Sequence, residues 1–128
     1  MTETLLSESD AEALVSIART ALGDSLRSLT FFTRSDFDQL YLRDDLEQDA
    51  DLSEFVGHEW HAFQLTQDTY GGSELGAYQY TVRSFENGFL LRVSTEREGV
   101  FATTDGLTVN EFEAAATALE ESLDHRRD

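Results

Sequence analysis

The sequence contains neither cysteine nor lysine. Without thiols there can be no disulfide, no thiolate nucleophile and no cysteine-ligated metal. It also lacks any proline- or glycine-rich linker, so the 128 residues are expected to form one domain spanning 1–128. Its ordered core should cover about 7–123, with both ends fraying. No apolar run approaches the length of a membrane span. The opening MTETLLSESD has no basic segment followed by an apolar stretch, so no signal peptide is expected and the expected location is the cytoplasm.

What is abundant is acid. Twenty-six acidic residues face nine basic ones, all arginine, for a net charge of −17. Such a chain repels itself, nucleic acid and anionic membranes, so neither of the last two is an expected partner. The surplus makes sense in concentrated salt, where the Debye length falls to about 3 Å at 1 M. In this respect the composition resembles that of proteins from salt-accumulating haloarchaea. Hydrophobic content of 40% and aromatic content of 11% nevertheless argue for a packed core.

Ser7 and Ser9 each precede an acid by three residues, which predicts a helix starting near Glu8. Its stripe is Ala11, Leu14, Ile17, Ala18, Ala21 and Leu22, and Gly23 is placed to end it in a left-handed conformation. LRSLTFFT and FDQLYLR bracket Arg34-Ser35-Asp36 and read as a hairpin. Asp44 can cap a second helix, with Glu47 at its third position, running toward Leu65 or Thr66 with a possible break at residues 49–51. Leu52, Phe55, Val56, Trp60 and Phe63 fall on one side of it, and Gly57 suggests a close approach or a kink. A glycine-marked loop follows over residues 67–76. Near the end, Leu107, Thr108 and Glu111 form a start signal for a third helix with the stripe Phe112, Ala115, Ala116, Leu119 and Leu123.

Residues 77–105 read as three antiparallel strands in succession. Asn87-Gly88 predicts a type I′ turn that pairs Glu86 with Phe89. One face then opposes Val82 to Val93, Ser84 to Leu91 and Tyr80 to Thr95. The other opposes Phe85 to Leu90, Arg83 to Arg92 and Thr81 to Ser94. The third strand has two open registers: a two-residue turn near residues 97–99 brings Val100 and Ala102 to the Val82 face, whereas a bulged loop brings Phe101.

The order α-β-β-α-β-β-β-α is similar to the profilin-like architecture of roadblock, longin and PAS-type domains. That resemblance implies an α+β fold: a five-stranded antiparallel sheet with helices on both faces, the central helix on one and the terminal helices on the other. The segment LYLRDDL, ahead of an acidic, strand-rich half, also resembles a family of small uncharacterised haloarchaeal proteins. Neither resemblance brings residues with assigned roles.

Opposed arginines require an anion nearby, so Arg83 and Arg92 expect a carboxylate of a packed helix, a bound anion or a partner's acid. If a pocket lies between the sheet and the second helix, this pair could anchor a ligand there, with Tyr78, Tyr80, Trp60 and Phe63 lining it. Glu54, His58, His61 and Leu65 lie on the outer side of that helix as candidates for a partner interface. Glu54, His58 and His61 could also ligate a divalent ion, but His58-Glu59-Trp60-His61 is one residue short of the zinc-protease spacing. No metal or cofactor is therefore expected. The alternating acids at 45, 47, 49 and 51 lack the glycine and glutamate of a calcium loop, and no nucleophile elbow occurs. The favoured function is a non-catalytic regulatory or scaffold domain that forms a homodimer and binds a protein partner. The alternatives are a small-ligand sensor and, more remotely, a metal-dependent hydrolase.

Overall fold

The computed structural model describes residues 6–34, 36–43, 52–95, 97–106 and 109–126. Helix α1 (Glu8–Leu22) starts where Ser7 accepts a hydrogen bond from the Asp10 amide. It buries Leu14, Ala18 and Leu22. Gly23 takes φ 60° with ψ −143°, so it ends the helix at positive φ but outside the expected left-handed well, leading into a short 3-10 turn. Strands β1 (Leu26–Thr33) and β2 (Phe37–Leu42) form the expected hairpin, closed by the Thr33 amide donating to the Asp36 carbonyl.

Helix α2 (Leu52–Tyr70) runs four residues past the expected end at Thr66, so the loop begins only at Gly71. Among its described side chains the buried positions are Val56, Glu59 and Phe63. Phe55, expected on that side, is instead 40% exposed, because the buried stripe is centred on Glu59. A side chain at Gly57 would meet nothing within 4 Å, so this glycine marks no close approach. The expected cap at Asp44 and Glu47 and the break at 49–51 lie outside the described residues.

Strands β3 (Thr81–Phe85), β4 (Gly88–Ser94) and β5 (Glu98–Thr104) complete an antiparallel sheet in the order β2-β1-β5-β4-β3. β3 starts later than expected, so Tyr80 does not pair with Thr95. Phe85 pairs with Gly88, which puts Glu86 and Asn87 in the turn. Among the described residues only Gly23, Gly72 and Gly76 have positive φ, so no type I′ turn forms at Asn87-Gly88. Gly88 serves a different need: a Cβ there would collide with the Thr104 carbonyl oxygen of β5. Relative to expectation, β3 slides two residues along β4, setting Val82 against Leu91, Arg83 against Leu90 and Thr81 against Arg92. A two-residue slip preserves which face each side chain occupies. On β5, Val100 faces Val93 and Ala102 faces Leu91, the first of the two open registers.

Alternation then builds two cores. Leu29, Phe31, Leu91, Val93, Val100 and Ala102 meet α1 and helix α3 (Val109–Arg126) on one face. The whole expected α3 stripe is buried there, while Leu107 and Thr108 lie outside the described residues. Phe32, Leu90 and Phe101 meet Val56 and Trp60 of α2 on the other face. The order of elements and the division of helices between faces match the profilin-like expectation. Among the described residues no helix is long and apolar enough to cross a membrane.

Candidate functional site

The smaller core contains a charge. Arg92 on β4 is 1% exposed, and its Nη1 donates to Glu59 Oε1 and to the Glu59 carbonyl, each at 2.9 Å. Its Nη2 donates to Thr81 Oγ1 at 2.8 Å and to the Tyr78 hydroxyl. The guanidinium carbon lies 5.9 Å from the ring centroids of Phe63 and of Tyr78, within cation–π range. Arg83 on β3 gives its Nε to Glu59 Oε2 at 2.9 Å. Two guanidinium groups on one sheet face, offset by two residues, thus share one carboxylate of the overlying helix. Leaving the buried Arg92 charge unpaired there would be strongly unfavourable.

Beside this cluster a groove of about 670 Å³ opens between α2 and the β3–β4 hairpin. Phe55 and Phe85 line it together with Phe89 and Leu90 of β4. Its polar lining includes Arg83, Arg27, His58 and Glu59, with Thr103 and Thr104 of β5. Phe85 is 59% exposed and Phe55 40%.

Arg27 also joins a second ion cluster. Its Nη1 donates to Asp105 Oδ1 at 3.1 Å, and Arg43 Nη1 donates to Asp105 Oδ2 at 2.7 Å and to the Asp24 carbonyl at 2.8 Å. The Asp105 amide reaches the Ser25 carbonyl, so the clamp ties the end of β5 to the chain entering β1 and leaving β2. Hydrogen bonding from Arg43 holds the Asp105 carboxyl below its ordinary 3.8; partial burial opposes this and the Arg27 bond adds to it.

The residues singled out in the sequence separate into several places. Arg83 and Arg92 come together on Glu59, and Tyr78 and Phe63 gather around Arg92. Trp60 instead packs edge-on against Phe32, with ring centroids 6.4 Å apart, and Tyr80 packs on the opposite face against the α1–α3 core. Of these six, only Arg83 lines the groove. His58 is exposed at the groove, His61 and Leu65 are exposed elsewhere on α2, and the Glu54 side chain lies outside the described residues. Among the described residues no three His, Asp or Glu side chains are placed to hold a metal ion. Glu59 was not singled out as a site residue. The signal for it was its helical spacing with Val56 and Phe63, which puts an acid in an apolar stripe facing two arginines.

Among solved structures, the chain is similar to "MglB with tetrameric arrangement", at 16% identity and TM-score 0.65, with 98% of each chain covered. It is equally similar to the gliding protein MglB from Thermus thermophilus, at 15% identity and TM-score 0.65 over 98% of each chain. At such identities the likeness is one of fold, of the roadblock/longin type. No curated protein matches the sequence. The model of one family, described as domain of unknown function DUF7522, matches residues 12–124, and the chain belongs to that family.

Proposed function

We propose that this chain is a non-catalytic regulatory or scaffold domain that forms a homodimer and binds a protein partner. The observation that carries this reading is the edge at β3, which is unpaired among the described residues. It ends the sheet, carries the 38%-exposed Val82, and has no lysine, proline or register shift to blunt it. An unprotected edge strand is a ready template for pairing with a second chain. The outward side of α2 adds His61 and the 54%-exposed Leu65, with Tyr70 half exposed at its end. A homodimer joined through this edge and helix would place both surfaces in one isologous interface. The tetrameric arrangement described for an MglB of similar fold lends this weight. The net charge of −17 and the absence of lysine support a salt-rich cytoplasm as its setting.

Sedimentation velocity in about 2 M KCl, where surface charge is screened, tests the reading. The wild-type chain should sediment as a dimer, and Val82→Asp with Leu65→Asp should convert it to a folded monomer. A wild-type monomer at high protein concentration would overturn it.

A further inference from the structure

We infer that the groove between α2 and the β3–β4 hairpin binds a small apolar anion, a carboxylate or sulfonate carried on an aromatic or aliphatic body. Arg83 and Phe85 belong to β3, so this site adjoins the proposed dimer edge, but it does not rest on self-association.

The argument begins with charge. Arg83 and Arg92 lie on one sheet face and share a single carboxylate, Glu59, whose two oxygens are each occupied by one of them. One positive charge is therefore left without a counter-charge from Glu59. It resides on Arg83, the more solvent-exposed of the two at 33% against 1%. Arg83 commits only its Nε, so among the described residues both of its Nη groups lack a partner. Arg27 likewise commits only Nη1, to Asp105, which does not line the groove. Two guanidinium groups with unused donors thus border one cleft on a molecule whose net charge is −17.

The rest of the cleft is suited to an apolar body. Its volume of about 670 Å³ falls within the range of roughly 300–1,000 Å³ typical of small-molecule sites. Its apolar walls are the rings of Phe55 and Phe85 with Leu90, whereas the Phe89 ring packs on the opposite face against Phe112. A mostly apolar cavity with a few convergent donors at one side fixes both the class and the orientation of a ligand. The carboxylate or sulfonate would take the Nη donors of Arg83, where planar bidentate pairing is available, and the body would lie among the phenyl rings.

The test uses two fluorescent probes of similar shape, the anion anilinonaphthalenesulfonate and its neutral relative phenylnaphthylamine, titrated into the full chain in about 1 M KCl. The anion should bind saturably at one site per chain, at least about tenfold more tightly than the neutral probe. Arg83→Gln should weaken the anion about tenfold and leave the neutral probe unchanged. Phe85→Ala, which trims an exposed ring and leaves the core intact, should weaken both and serves if Arg83→Gln fails to fold. Val82→Asp with Leu65→Asp should leave anion binding unchanged, which separates this site from the dimer surface. Absence of saturable binding, equal affinity for the two probes, or indifference of the anion to both Arg83→Gln and Phe85→Ala would overturn the inference. So would loss of binding on self-association, because a second copy would then be what fills the groove.

Discussion

Glu59 of α2 and Arg92 of β4 meet at 2.9 Å with side chains only 3% and 1% exposed. A buried pair of this kind contributes little net stability over apolar residues of the same volume, but breaking it is severe. Glu59→Ala should therefore destabilise the fold by about 3–5 kcal/mol in denaturant unfolding. Combining Glu59→Leu with Arg92→Leu should recover most of that loss. A single substitution without effect would show that water reaches the pair.

Gly88 tests the packing of the hairpin. Because a Cβ there runs into the Thr104 carbonyl, Gly88→Ala should destabilise by about 1–3 kcal/mol. Substituting Asn87, which lies in a turn without positive φ, should be nearly neutral, since no left-handed residue is required. Thermal midpoints of the two variants give the comparison; equal midpoints would contradict it.

Asp105 gives the pH dependence. Its carboxyl titrates below 3.8 in the folded protein, so its contribution is fully present above the unfolded value and is lost as pH falls through the lowered folded value. Asp105→Asn should lower the denaturation midpoint at neutral pH. The gap between variant and wild type should then close as pH drops below 3.8. With Asp105 43% exposed, solvent screening keeps the effect small. A gap that widens in acid would contradict the assignment.

Salt provides a further check. Self-repulsion at −17 should lower the melting temperature as KCl is reduced from about 2 M to about 0.1 M. Differential scanning calorimetry at several salt concentrations measures this, and a melting temperature independent of salt would contradict it.

Much of the architecture was legible because periodicity is local. The α3 stripe from Phe112 to Leu123 and the Ser7 cap of α1 each depend on a few neighbouring residues. The hairpin register was not, because Gly88 reads as a turn glycine until Thr104 of a distant strand is placed against it. The same holds for Glu59. Its helix and the two arginines were each visible, but their meeting depends on how α2 lies across the sheet. The groove was illegible for a related reason: Arg27, Phe55 and Phe85 come from three elements, brought together by that crossing alone.

Hydrogen exchange at the two sheet edges, followed as the protein is diluted, tests the proposed self-association most directly. The account predicts that amides of β3 are protected at high concentration and lose protection on dilution, while those of β2, the opposite edge, exchange at one rate throughout. Rapid exchange along β3 at every concentration, or protection shifting to β2 instead, would contradict it.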